Sequence, residues 1–285
     1  MPEGHSIHRL ARQFTSVFTG ETLEVSSPQG RFSAGAKRLD GAVLTGARAH
    51  GKQLFLEFDN DLVLRVHLGL YGAWSFGGGD QFRGASSIGA PRRVGEQETT
   101  DDDATAGAYT GPPPPVGAVR VRLVSRHGWA DLRGPTACEL ITGAERDAII
   151  ARLGPDPLIP GSNAAEFVAR VRGTRTAVGL SLMNQAVIAG VGNVYRAEVL
   201  FRRRLHPWLH GPALSEAEAL ALWEDLVVLM NDGVRVGRII TTTTNHRPGG
   251  HRSAAAADTL AVRNEDAHYV YKRTGLDCRI CGTTV

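Results

Sequence analysis

Ile188-Ala189-Gly190-Val191-Gly192-Asn193 lies between two stretches that read as helices, 176–184 and 193–204. Two glycines ahead of a polar residue at a helix start make a tight turn. They also let backbone N–H groups meet a phosphate at the positive end of the following helix. A structural helix-turn-helix carries the same pattern, so the stretch alone leaves nucleic acid and simple packing both open. Around it the sequence is helical from about Gly134. Ser215-Glu216-Ala217-Glu218 is a capping box that opens a helix with Leu220, Trp223, Leu226, Val227 and Met230 inside it.

Upstream the period changes. Residues 3–19 form an amphipathic helix, with Ile7, Leu10, Ala11, Phe14 and Phe18 on one face and Arg9, Arg12 and Gln13 on the others. A β region follows. Leu54, Leu56 and Phe58 alternate with Phe55 and Glu57; Asp59-Asn60 is turn chemistry, and 61–66 is the returning strand. Residues 118–124 alternate in the same way. Between the strands, 77–117 carries Gly77-Gly78-Gly79, Asp101-Asp102-Asp103 and the prolines 112–115. It lacks apolar periodicity and reads as a disordered insertion within the first domain.

At 285 residues and 42% hydrophobic, the chain is long enough for two domains and a fragment. No stretch resembles a transmembrane span, and Arg9 and Arg12 interrupt the only early apolar run, so neither a membrane nor a signal peptide is expected. Three cysteines without an even framework fit a reducing cytosol. The formal charge of +3 conceals an asymmetry. Residues 77–117 hold six acids against three arginines, a net of −3, which leaves +6 on the rest. Arg202-Arg203-Arg204, Arg235, Arg238, Arg247 and Arg252 carry much of it, and no acid lies between Gly233 and Ala257. A polyanion and a solvated basic surface both account for this.

The start, Met1-Pro2-Glu3-Gly4-His5, permits removal of the initiator methionine and exposure of a secondary amine. Such an amine titrates at about 8 and attacks a carbonyl or sugar carbon without a strong base. Glu3 follows as proton donor or acceptor. Most chains that begin Met-Pro make no use of the proline, so the reading depends on its company. The chain closes with Cys278-Arg279-Ile280-Cys281, two thiolates on a tight turn. Only four residues follow Cys281, and Cys138 reads as a small buried hydrophobe, so the four ligands of a structural zinc are half present.

In this order, Met1-Pro2-Glu3-Gly4, His50-Gly51-Lys52, Leu70-Tyr71-Gly72, Arg152-Leu153-Gly154-Pro155-Asp156, Asn184-Gln185 through Gly190-Val191-Gly192-Asn193-Val194-Tyr195-Arg196, and the final CxxC make a specific set. The set resembles the formamidopyrimidine-DNA glycosylase/endonuclease VIII family over most of the chain. Leu70-Tyr71 and the first four residues look more like the endonuclease VIII side. The resemblance implies an α+β chain. Residues 1–132 would be an N-terminal catalytic β-sandwich domain with a leading helix, 133–240 a helix-two-turn-helix DNA-binding domain, and 241–285 a linker and an incomplete zinc finger.

The resemblance also implies roles. Pro2 would attack C1′ of a damaged nucleoside and form a Schiff base. Glu3 would shuttle protons, and Lys52, on a hairpin loop, would neutralise a phosphate and assist elimination. Leu70 and Tyr71 would fill the gap left by a flipped base, while Asn193 and Arg152 would grip backbone phosphates. Cys278 and Cys281 would hold one structural zinc ion. Three departures stand out: Ser6, after His5, where the family often has glutamate; Gly69 where a polar wedge residue is usual; and a second cysteine pair that would lie beyond Val285.

The expected protein is therefore a monomeric bifunctional glycosylase and abasic-site lyase, acting on oxidised pyrimidines in double-stranded DNA of the cytoplasm and nucleoid. Two other readings compete. A degenerate homologue would bind abasic DNA without efficient turnover, which the half zinc site favours and Pro2, Glu3 and Lys52 oppose. A tautomerase using Pro2 as a base on small keto acids would need no basic helical half and no aromatic wedge.

Overall fold

A computed structural model describes residues 2–79, 82–90, 109, 111–247 and 262–285. The chain forms two compact units, Met1–Arg152 and Leu153–Val285.

The first unit opens with α1 (Gly4–Phe18), whose face of Ile7, Leu10, Phe14 and Phe18 is buried as the periodicity requires. Then come β1 (Glu24–Ser26), α2 (Ser33–Leu39), β2 (Leu44–His50), β3 (Gln53–Phe58), β4 (Leu62–His67), β5 (Ala73–Gly78), β6 (Ser87–Gly89), β7 (Val119–Val124), β8 (Gly128–Arg133), β9 (Ala137–Thr142) and α3 (Gly143–Ile150). They build two antiparallel sheets, a five-stranded one ordered β1-β7-β8-β5-β6 and a four-stranded one ordered β2-β3-β4-β9. One core joins them: Leu54, Leu56, Leu64 and Val66 from one sheet meet Trp74, Val121, Leu123 and Leu132 from the other, together with the buried face of α1. Phe14 sets its ring 4.8 Å from Trp74, edge to face at 77°. This is the β-sandwich with a leading helix that the family resemblance implies.

Two expectations need correction. The helical pattern does not begin at Gly134. Residues 137–142 form the edge strand β9, paired along β4 from Leu62↔Thr142 to His67↔Ala137. Its half-buried alternation is faint because only one face, through Cys138 and Leu140, meets the core. Thr142 then caps α3 in a capping box with Glu145, so the first unit runs to Arg152, beyond the boundary expected after 132. The segment 77–117 is ordered at both ends. Its Ser87–Gly89 is β6, hydrogen-bonded to β5. Gln13 on α1 exchanges two 2.9 Å hydrogen bonds with the backbone of Ala85. Arg122 and Arg133 donate to the carbonyls of Pro113 and Val116. These polar ties replace the apolar periodicity whose absence suggested disorder; residues 91–108 lie outside the described ones.

The second unit contains α4 (Ala164–Arg172), α5 (Val178–Ser181), α6 (Asn193–Arg202) and α7 (Glu216–Val236), with short 3-10 turns. α7 starts at the expected capping box, Ser215 with Glu218, and ends at Gly237 in the left-handed region. The helix expected over 176–184 is a single turn, because from Met183 onward the N–H groups bond three residues back. Val178, Ile188, Val191, Tyr195, Leu226 and Met230 form the core of this unit. The stretch expected to be a separate third region from 241 is part of the same compact unit.

Candidate active site and nucleic-acid interface

Pro2 and Glu3 are buried immediately ahead of α1, and Glu3 has no exposure at all. Helix α1 packs on β2 and β3. The link between those strands is the two-residue turn Gly51-Lys52, closed by the pair His50↔Gln53, with Gly51 at φ +56° as such a turn demands. Lys52 is thereby held close to Glu3. Burial pulls the Lys52 ammonium below its ordinary range, and the Glu3 carboxylate opposes the fall. Glu3 and half-buried Lys52 are thus electrostatically linked, with buried Pro2 next to Glu3 in the chain.

Sequence reasoning missed a fourth member. His67 ends β4 opposite Gln53, one residue from Lys52. Burial lowers its pKa, and the positive charges of Lys52 and then Arg65 lower it further, so His67 is neutral at pH 7. The strand pairing that brings it there was legible only once the register of β3 and β4 was known. His5 lies deeper. Burial first, then Arg9, the chain terminus and His8, push it down to about 3. Its Nε2 is 3.2 Å from the hydroxyl of buried Ser6, at the position where the family often has glutamate.

Leu70 and Tyr71 sit on the turn that follows β4. Leu68 anchors the turn in the core, Gly72 N donates to Leu68 O at 3.0 Å, and the two apolar side chains project with 53% and 81% exposure. Such exposure is unusual for an apolar and aromatic pair, and it excludes packing in the core. Gly69 has φ +67°, and a Cβ there would come within 1.8 Å of the Thr136 hydroxyl. A side chain at this position would clash with Thr136. Arg152 is exposed at the end of the first unit, with its Nε donating to Ala148 O.

In the second unit, the turn before α6 is built by Gln185. Its Oε1 accepts from Gly190 N at 2.9 Å, and its Nε2 donates to Val191 O at 3.0 Å. Gly190 takes φ +91°, and Gly192 caps α6. Asn193 is the first helical residue, half-buried, and no acid of α6 itself lies in its first turn, where the helix dipole is positive. At the C-terminus Cys278 is half-buried and Cys281 exposed. Hydrogen bonding to the Thr283 hydroxyl holds the Cys281 thiol below its usual range. Among the described residues no three His, Cys, Asp or Glu side chains gather where a metal ion could be held. The two thiols therefore do not complete a zinc site by themselves. Cys138 belongs to the first unit, and burial pushes its thiol up to about 12.

Comparison with known proteins follows the same lines. Residues 1–128 match the model of the formamidopyrimidine-DNA glycosylase N-terminal domain, and residues 153–245 that of the formamidopyrimidine-DNA glycosylase H2TH domain. Endonuclease 8 1 of Mycobacterium tuberculosis (strain ATCC 25618 / H37Rv) is 41% identical over 285 residues, spanning 100% of this chain and 93% of that protein. The chain belongs to the formamidopyrimidine-DNA glycosylase/endonuclease VIII family. Formamidopyrimidine-DNA glycosylase of Gluconobacter oxydans is a more distant member, 25% identical over 99% of this chain and 92% of its own. Among solved structures, the Lactococcus lactis enzyme in complex with DNA containing N7-benzyl-Fapy-dG has a TM-score of 0.71 at 20% identity, covering 99% of this chain and 93% of that one. That likeness confirms the family fold. Within this family of DNA glycosylases, the chain's relatives are DNA-acting enzymes, and no helix among its described residues is long and apolar enough to cross a membrane.

Proposed function

We propose that the protein is a bifunctional DNA glycosylase and abasic-site lyase that removes oxidised bases, mainly pyrimidines, from double-stranded DNA. The observation that carries this reading is the electrostatic tie between buried Glu3, which follows buried Pro2, and half-buried Lys52 on the β2–β3 turn. With the initiator methionine removed, the Pro2 nitrogen is the amine of the chain. It attacks C1′ as the damaged base departs with a proton, and the sugar ring opens to an iminium. Glu3 donates the proton to the opening ring oxygen. The iminium withdraws electrons, the C2′ proton is lost, and the 3′ phosphate leaves, followed by the 5′ phosphate. Water then hydrolyses the iminium and frees Pro2.

Lys52 and His67 would bind a phosphate next to the lesion, and desolvation would strengthen the attraction of Lys52 for it. Leu70 and Tyr71, exposed on their turn, would occupy the space of the flipped nucleotide. Asn193 at the start of α6 and exposed Arg152 would hold backbone phosphates. Cys278 and Cys281 would supply two ligands to a zinc ion whose remaining ligands are not among the described residues, and no step depends on it.

The reading is tested with a duplex carrying one oxidised pyrimidine. Scission with phosphate at both new ends supports it. An intact strand after prolonged incubation, with DNA still bound, favours a binding homologue without turnover.

A further inference from the structure

We propose that Glu198 is the positioning residue that fastens the C-terminal segment to the helical core, a task the cysteine pair does not perform. Glu198 lies in the middle of α6 with no exposure. Its Oε2 accepts from Tyr269 N at 2.8 Å and from the Thr241 hydroxyl. Its Oε1 accepts from Val270 N at 2.9 Å and Tyr271 N at 2.7 Å. Three successive N–H groups converging on one carboxylate form an anion nest within the chain itself. A carboxylate taken out of water survives as an ion only with such donors. A leucine would fill the same place in α6, so the charge serves the segment it captures.

The captured points are the chain leaving α7, at Thr241, and the chain entering the cysteine turn, at 269–271. Arg202, one turn further along α6, donates to Thr241 O at 2.7 Å and pairs through two nitrogens with Asp225 of α7 at 2.9 and 2.7 Å. Tyr269 stacks on Phe201 at 5.2 Å, and its hydroxyl accepts from Thr243 N at 3.0 Å. Beyond it Cys278 N donates to Thr283 O at 2.8 Å and Val285 N to Leu276 O at 2.9 Å, and Arg279 ties the turn back by donating to His268 O at 3.1 Å and pairing with Asp266 at 3.1 Å. No contact in this chain of attachments needs a metal ion. Under the proposed function, on which this part rests, α6 presents Asn193 to phosphate at its start, and Glu198, by holding the amides of 269–271, sets the place of Lys272 and Arg273, which follow directly in the chain and would add phosphate contacts.

The experiment is residue-resolved hydrogen exchange on the full chain, for wild type, Glu198→Gln and the double variant Cys278→Ser/Cys281→Ser, each with and without EDTA. Glutamine keeps the volume but turns an N–H₂ toward the nest. The amides of residues 269–271 should then exchange at least about 100-fold faster, while those of Leu226 and Leu229 in α7 keep their protection. EDTA and the cysteine substitutions should leave 269–271 unchanged. Thr241→Val, which removes a hydroxyl shared between Glu198 and Ala267 O, should speed exchange at 269–271 by about tenfold. Duplex binding by Glu198→Gln should lose about one to two phosphate contacts from its salt slope. Protection of 269–271 retained in Glu198→Gln, or lost in wild type on adding EDTA, overturns the proposal. A wild-type chain that binds no duplex overturns the proposed function instead, and the exchange data still decide the role of Glu198.

Discussion

Glu3, fully buried ahead of α1, is the charge that partly offsets the burial of Lys52 on the β2–β3 turn. The two residues are far apart in sequence and meet because α1 packs on that hairpin. Removing the carboxylate removes an influence that raises the Lys52 pKa. In Glu3→Gln the Lys52 amine should therefore titrate lower than in wild type, followed by NMR of the dimethylated, isotope-labelled lysine. An unchanged titration would show that the two charges do not interact. Base excision by the same variant should fall by about 10²- to 10⁴-fold, the usual worth of a positioned proton donor.

Gly69→Ala should destabilise the first unit by about 1–3 kcal/mol. The residue would be held at φ +67° with its methyl group against Thr136. Urea midpoints measure this, and Thr136→Gly in the same chain should restore part of the loss by removing the atoms that clash.

Leu70→Ala and Tyr71→Ala should leave stability within about 0.5 kcal/mol of wild type, since both side chains are exposed. Their excision of a lesion from duplex should nevertheless drop by more than about tenfold, and cleavage of the same lesion in a single strand should change less. Equal loss on both substrates would mean that the turn does not replace a flipped base.

His5 makes stability depend on acidity. The unfolded chain takes up a proton near 6.5, while the folded site refuses it until about 3. Between those values the unfolded state binds more protons, so stability is full above 6.5 and is lost as the pH falls through the window. From pH 7 to pH 5 wild type should lose about 2 kcal/mol more than His5→Gln, by urea unfolding at both values. Parallel losses in the two proteins would show that His5 is protonated in the fold.

Local signals read well from sequence. The amphipathic face of α1, the hairpin that turns at Asp59-Asn60 and the Ser215–Glu218 cap each depend on residues within a few positions, and all stand as expected. What escaped depends on distant partners. Strand β9 gains its identity from β4, and His67 its meaning from the register of β3. Glu198 is an ordinary acid in a helix until residues 269–271 fold back onto it. The order in 82–90 was hidden for the same reason, since Gln13 and Ala85 hold each other across most of the first unit.

The most direct test of the central claim is borohydride trapping on a duplex with one abasic site, followed by peptide mapping. A covalent adduct on Pro2 at the mature N-terminus, abolished or strongly reduced in Pro2→Gly, is the predicted result. No adduct despite retained binding, or an adduct mapped to Lys52, would contradict it.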